Sequence, residues 1–462
     1  MNNMSIVIDQ ILQNNLCIGC GLCAALCPQE VIAMQWNRYG EYNPVEVLPC
    51  IRECSLCLKV CPFANSGENE DTIGERLYGA VAGIRHRPET GYYLATYVGY
   101  SKKHRLTSAS GGMASWLLEA LLSEGAVDHV ICVAPTGEPE RLFKFAIFDT
   151  PESVRAGAGS AYYPVEMSGV IRHILETPGR YAVTGLPCFI KAIRLAQQKN
   201  PKLRERVVVT VGLVCGQLKS KHFTEYIASL AGLPGKVKVV RYRGKSPDQP
   251  ATNYYYAFTS MDGDERRIFW NEGIAEAWTN RWFTPRACNY CDDVFAECAD
   301  VAFMDAWLSE YSKDSRGTSL VLVRSPQVQE VIAQGQEISF DPLPIGRVMD
   351  SQKGVISVKR HQLAYRLYLD QEKKHKVPKK RVVPGGILRN PFLRREVVLK
   401  DLMSVASRNA WVEGVRDAKS LREVMQPDMR RLARIRQIKK IITPLARILL
   451  DIKTKSEGSR HE

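Results

Sequence analysis

Two cysteine runs near the N-terminus restrict this chain more than any other feature. Residues 17–28 read CIGCGLCAALCP, which sets Cys17, Cys20, Cys23 and Cys27 at the C-x2-C-x2-C-x3-C-P spacing by which thiolates hold paired [4Fe–4S] clusters. Residues 50–62, CIRECSLCLKVCP, repeat the pattern with Cys50, Cys54, Cys57 and Cys61, one residue longer in the first gap. Three closely spaced thiolates wrap one cubane, and the longer gap before Cys-Pro carries the fourth sulfur to the other. The spacing therefore assigns Cys17, Cys20, Cys23 and Cys61 to one cluster, and Cys50, Cys54, Cys57 and Cys27 to a second. Pro28 and Pro62 turn the chain away after each crossing residue. Zinc favours two separated C-x2-C pairs and fits these eight cysteines less well. The chain has 14 cysteines, and its first residues lack the basic start and apolar stretch of an export signal. The expected compartment is the cytoplasm, where reduced thiols serve metal ligation rather than disulfides.

A chain of 462 residues accommodates about three structural units. With 45% hydrophobic and 24% charged residues it is neither disordered, collagen-like nor a coiled coil, and no apolar run is long enough to span a bilayer. Between about 78 and 330, apolar helical stretches such as GGMASWLLEALLSEG alternate with β-branched runs such as RYAVTG and RVVVTVGLVCG, the pattern of an α/β body. Two loops suit a pyrophosphate. Ser108, Ala109, Ser110, Gly111 and Gly112 lie directly before a helix, where amides, hydroxyls and the helix N-terminus point at an anion. Residues 155–162, RAGAGSAY, form a second Gly-rich loop behind Arg155. Neither is a G-x-G-x-x-G fingerprint, and a tight turn is the competing reading.

Six cysteines remain. Cys188 and Cys215 each follow a strand, and Cys288 with Cys291 forms a C-x2-C pair. Strand ends converge at one edge of an α/β sheet, so these four thiols could hold a third [4Fe–4S]; buried thiols beside a chance pair are the alternative. Cys132 and Cys298 read as core thiols. The histidines, His86, His104, His129, His173 and His222 among them, are scattered and read as surface or core residues. Trp278, Trp282 and Trp307 suit packing, with shielding of a cofactor as the other possibility.

The formal charge of +14 is confined to the C-terminal fifth, since residues 371–462 hold 24 Lys and Arg against 10 Asp and Glu. This predicts a neutral body with a cationic appendage, which favours an acidic partner or an anionic membrane over nucleic acid. QEKKHKVPKKRVVPGG reads as a linker. In 429–452, Met429, Leu432, Ile435, Ile438, Ile441, Ile442, Leu445, Ile448, Leu449 and Ile452 recur at helical spacing opposite Arg430, Arg431, Arg434, Lys439 and Lys440, with Pro444 expected to kink the helix. A helix docked on the body and one lying on a membrane surface are both open.

Together these pieces resemble the family of coenzyme F420 hydrogenase/dehydrogenase beta subunits, with a fused two-cluster ferredoxin module. The carriers are SASGGMASWLLEAL at 108–121, GAGSAYYP at 157–164, TGLPCFIKA at 184–192, GLVCG at 212–216, CNYC at 288–291, and ADVAFMDAW with RGTSLVLVRS within 299–325. The resemblance implies FAD held through Ser108, Ser110, Gly111, Gly112, Gly157, Gly159, Ser160, Tyr162 and Asp305, and a [4Fe–4S] held by Cys188, Cys215, Cys288 and Cys291. Two departures stand out. Ala161 sits where many relatives carry lysine, and MDAW at 304–307 replaces G-D-x-W, so use of F420 is not carried over with the rest. Asp305 is retained, either bonding the flavin or capping a loop.

The fold expected is an α/β flavin and iron–sulfur body with a small ferredoxin-like α+β N-terminal domain and a helical basic tail. Its divisions are 1–70 for the ferredoxin-type domain, 71–170 and 171–370 for the two regions of the body, 371–390 for the linker and 391–462 for the tail. A flavin accepts two electrons and releases them singly, whereas each [4Fe–4S] takes one, so the expected function is an oxidoreductase acting on F420 or another small organic substrate. The alternative is a non-catalytic electron-transfer component of a larger redox or polysaccharide-biosynthesis assembly. Expected partners are a redox protein or ferredoxin and, through 429–452, an anionic membrane surface that would make the protein peripheral.

Overall fold

The computed structural model describes residues 5–50, 54–65, 68–386 and 390–458, with side chains to 442. An eight-stranded mixed sheet organises the chain. Across it the strands run Ile338–Pro342, Ala95–Ser101, Ser319–Val323, Val301–Asp305, Val207–Leu213, Tyr181–Gly185, His129–Glu138 and Arg141–Phe148. The central four, 301–305, 207–213, 181–185 and 129–138, are parallel neighbours, and antiparallel strands flank them on both sides. Parallel strands are covered on both faces and read as continuous apolar runs. Val301–Asp305 accordingly sends Ala302 and Met304 to one core and Val301 and Phe303 to the other. The helices Met113–Ser123 and Pro326–Ala333 cover one face, and Ser168–Glu176 and Pro187–Lys199 the other.

The N-terminal module carries the antiparallel hairpin Ile32–Trp36 with Tyr42–Glu46 and the short cysteine-bearing helices Leu22–Ala25 and Leu56–Lys59. Leu22 and Leu26 enter the same core as Ile171, Ile174 and Phe189 of the body. Buried charges add to the junction. Glu70 meets Lys191 at 3.1 Å, and Arg381 reaches Asp71 and Glu297 at 2.6 Å each, while Lys380 meets Asp292 at 3.2 Å. Lys380 and Arg381 belong to the stretch expected as a linker, yet their side chains are only 6% and 7% exposed.

A second layer begins at 221. The helix Lys221–Leu230 and the antiparallel sheet Val237–Gly244, Tyr255–Ser260 and Glu265–Phe269 share an apolar core with the helix Pro391–Val412 and the start of Ala418–Gly458. Asn390 caps the first of these C-terminal helices by accepting from the Phe392 and Leu393 amides, with Pro391 at its first position. Ser407 accepts from the Phe283 amide at 2.9 Å, Ser404 donates to the Thr284 carbonyl at 2.7 Å, and Trp411 donates to Glu225 at 3.0 Å. The C-terminal region is thus part of the folded body as far as Leu432 and Ile435, whereas Ile438, Ile441 and Ile442 are exposed. Helix continues through Pro444; the side chains expected to extend the apolar stripe, Leu445, Ile448, Leu449 and Ile452, lie outside the described residues.

Candidate functional site

Three groups of thiols form. Burial pushes the Cys20 and Cys23 thiols up, and both feel Cys17 and Cys61. Cys61 is pushed up to about 12 by burial, with Cys17 and Cys57 adding to it. Cys57 is raised by burial and then by Cys54 and Cys50, while Cys27, Cys50, Cys54 and Cys57 line one small cleft with Ile6 and Ile32. Cys61 has therefore crossed to the first set and Cys27 to the second. Glycine makes the first loop possible: Gly19 and Gly21 have φ of +71° and +85°, and a Cβ on them would stand 2.7 Å from the Tyr42 carbonyl and from Glu166 Oε2.

The third group comes together from four places in the sequence. Cys188 lies at the start of Pro187–Lys199, just beyond the strand Tyr181–Gly185. Cys215 follows the parallel neighbour Val207–Leu213, so the two thiols leave the sheet at one edge. Cys288 sits in the tight turn Arg286–Tyr290, with Cys291 directly after it. Cys188 is raised by burial and then by Cys291, Cys215 and Cys288, and Cys215 is pushed up to about 12. The Leu218 amide donates to Cys288 Sγ at 3.2 Å, and Lys359 Nζ to Cys291 Sγ at 3.1 Å. Arg324, fully buried, donates to the carbonyls of Tyr92, Thr90, Phe295, Ala296 and Ala299, fixing the segment behind Cys291.

Thiols that raise one another's pKa in a buried site want a cationic centre, which would deprotonate them outright. Among the described residues no three Cys, His, Asp or Glu side chains close on a point as ligands of a single ion would. Tetrahedral zinc draws its sulfurs to about 2.3 Å from one atom, whereas a cubane carries its thiolates on four separate irons and leaves them farther apart. Four cysteines and no histidine in each set are the donors that a [4Fe–4S] takes. Cys132, pushed up to about 12 by burial, and Cys298 sit in the core as expected.

A cavity of about 600 Å3 adjoins these thiols. Ser108, Ser110 and Gly112 form one wall at the start of Met113–Ser123, and Gly157, Gly159, Ser160 and Tyr162 form the opposite wall. A Cβ on Gly157 would collide with the Cys132 sulfur. Gly111 is not on the wall: its amide donates to Ser319 Oγ at 3.0 Å, and a Cβ there would meet the Gly99 carbonyl at 2.6 Å. Cys17 and Cys215 both line this cavity. Trp278 and Trp307 line it too, whereas Trp282 is buried in the adjoining core.

Asp305 reaches the cavity already paired. Arg243 Nη1 and Nη2 donate to its two oxygens at 2.8 Å each, a bidentate fork with the guanidinium over the Tyr254 ring at 4.2 Å. Arg243 has φ of +59°, uncommon for a side chain of its size, and lies at a register shift between Arg241 and Gly244. Strand alternation treats Arg241 and Arg243 alike; the bulge is invisible in the sequence, and so is the role of Arg243. Lys245, equally invisible there, donates to the carbonyls of Ser110 at 2.7 Å, Arg316 at 2.6 Å and Arg105. Burial first, then Arg243, brings its ammonium down to about 7. Glu119 binds Arg155 at 3.2 Å and His104 at 3.0 Å, tying the second loop to the helix behind the first.

Residues 96–172 and 179–341 match the profiles of the coenzyme F420 hydrogenase/dehydrogenase beta subunit, N-terminal and C-terminal parts. The chain belongs to this family. To the beta-subunit body it adds a 4Fe–4S dicluster domain, matched over 16–65, and as an iron–sulfur member it is a redox electron-transfer protein. Among curated relatives it is 22% identical over 365 residues to one of the subunits of the F(420)H(2) dehydrogenase of Methanosarcina mazei, covering 75% of this chain and 92% of the relative. A chain of the xenon-derivatised F420-reducing [NiFe] hydrogenase complex of Methanosarcina barkeri aligns at 20% identity with a TM-score of 0.46, covering 62% of this chain and 96% of that one.

Proposed function

We propose that the chain is a flavin-dependent iron–sulfur oxidoreductase that exchanges electrons between a small organic substrate and a one-electron protein partner. One observation carries the reading: a single cavity is bounded by two Gly/Ser loops and by thiols of two different cysteine groups, Cys17 and Cys215. FAD fits this cradle, with amides and hydroxyls of 108–110, Gly112 and 157–160 disposed for a pyrophosphate. When bound, it supplies two-electron chemistry on the substrate side and one-electron exchange on the cluster side. Tyr162, Tyr254, Trp278 and Trp307 bound the remaining space and exclude water, and Arg243 with Asp305 pins strand to sheet at the rim. In this reading Cys17, Cys20, Cys23 and Cys61 hold one cluster, Cys27, Cys50, Cys54 and Cys57 a second, and Cys188, Cys215, Cys288 and Cys291 a third.

The geometry supports an order of transfer. Cys188 packs against one apolar cluster that carries thiols of both N-terminal groups, Cys17, Cys23 and Cys61 of the first and Cys27, Cys50 and Cys57 of the second, and the cavity touches the first and third groups through Cys17 and Cys215. Cys54 is exposed, which suits the second cluster to exchange with an outside carrier. F420 is the substrate the family connection suggests, with ferredoxin or another redox protein as partner.

Anaerobic purification followed by flavin extraction and iron analysis tests the cofactors, and addition of reduced F420 tests the substrate. Prompt bleaching of the flavin band supports an F420-linked enzyme. Bleaching by reduced ferredoxin alone makes the chain a ferredoxin-driven reductase, and absence of flavin reduces it to a relay component. Ile438, Ile441 and Ile442, exposed beside Lys439 and Lys440, support a further role of the last helix at an anionic membrane surface.

A further inference from the structure

Lys359 has no part in the cavity, yet its ammonium donates to a thiol of the third group, on the Cys291 side, while Arg281 lies by Cys288. Lys359 lies on a π-helical turn, Ser357–Gln362, a widened turn that re-aims side chains and recurs at functional sites. The side chain is buried, donating 3.1 Å to Cys291 Sγ and 2.6 Å to the Asp293 carbonyl. Asp293 is the acidic group beside it, and next to Asp293 stands Glu297, which holds Arg360 at 2.9 Å. The first group is built differently. Cys17 takes its hydrogen bond from the Gly19 amide at 3.4 Å, and the Glu41 carboxylate near it is paired with Arg408 at 2.9 Å.

We infer that Lys359 is a positioning residue that raises the reduction potential of a cluster held by Cys188, Cys215, Cys288 and Cys291, making it the better electron acceptor of the two clusters beside the cavity. The inference rests on the third cluster of the proposed function. Reduction adds one electron to the cluster and breaks no bond, so its net charge falls by one. A buried ammonium hydrogen-bonded to a ligand sulfur stabilises that added charge, whereas Cys17 of the first group takes its hydrogen bond from a neutral amide.

The test is a potentiometric titration of the full chain with dithionite, followed by electron paramagnetic resonance, on wild type, Lys359→Met and Lys359→Arg. In Lys359→Met the midpoint of one cluster should fall at least tenfold in reduction equilibrium, about 59 mV for one electron, with the other two unmoved. Lys359→Arg, which keeps the charge, should stay near wild type. A Lys359→Met protein that retains about 12 irons, three clusters of four, with no midpoint moved overturns the inference. A wild type with about 8 irons and two paramagnetic centres overturns the third cluster itself, a different outcome read from the same samples. Should Lys359→Met lose iron, Lys359→Gln keeps a donor without the charge. A midpoint lowered in that variant supports the inference, and loss of the third cluster there makes Lys359 a scaffold and overturns it.

Discussion

Removing the Arg243 guanidinium strands the Asp305 carboxylate at the rim of the cavity and deprives the Ala109 carbonyl of a donor at 3.3 Å. Asp305 keeps 23% of its side chain exposed, so water relieves part of the loss. Arg243→Met should cost about 2 kcal/mol, below the usual cost of breaking a fully buried pair, as read by denaturant unfolding. Lys245 gives a pH signature. Its ammonium titrates at about 7 in the fold but near 10.4 in the unfolded chain, so between those values the unfolded state binds more protons and stability rises with pH. Below pH 7 both states are protonated and the slope vanishes. Lys245→Met should be flatter than wild type between pH 7 and 10; equal slopes in paired denaturant titrations would refute the assignment. Neither residue is legible in the sequence, because each depends on a bulge and on loops far away in the chain. The eight N-terminal cysteines are legible because their close spacing limits how far apart their sulfurs can be, whereas the four of the third group are brought together only by the sheet.

At the level of elements, the alternation of helix and strand predicts the α/β body, and the antiparallel flanks are beyond its reach because strand direction is set by tertiary pairing. The cationic tail reads as an appendage, and charge counting cannot see that Pro391–Val412 turns an apolar face to the second core. Trp411 is 2% exposed and packs edge-on to Phe283 at 5.5 Å. Trp411→Ala should cost about 3–5 kcal/mol in unfolding free energy. The last helix divides at about 437: Met429, Leu432 and Ile435 face the body, and Ile438, Ile441 and Ile442 do not. Ending the chain at 437 should leave the unfolding transition intact and abolish sedimentation with phosphatidylserine vesicles. Binding that survives this truncation places the membrane contact elsewhere.

Over the whole molecule, the N-terminal module and the body are joined by apolar packing and by one mesh of charges centred on Arg381. Arg381 reaches Asp71 from one side and Glu297 from the other, with Lys191 on Glu70 alongside. Its loss leaves Glu297 with Arg360 alone and Asp71, 46% exposed, to water, so Arg381→Met should destabilise by about 1–2 kcal/mol and open the helix Glu70–Tyr78 to limited proteolysis, with the N-terminal cysteine sets still able to bind iron. Cleavage no faster than in wild type would show that packing alone holds the two together.

The contacts of Ser404 and Ser407 with the turn at 283–284 also have a temporal side. That turn leads into Cys288, and its brace is encoded some 120 residues after Cys291. At about 5–20 residues per second of synthesis, the nascent third group waits roughly 6–24 s for its support, whereas both N-terminal runs emerge complete within the first 61 residues. If the sheet-edge group holds a cluster as proposed, ribosome-bound chains should acquire iron in two instalments, the ferredoxin pair early and the sheet-edge group only once Ser404 and Ser407 have emerged.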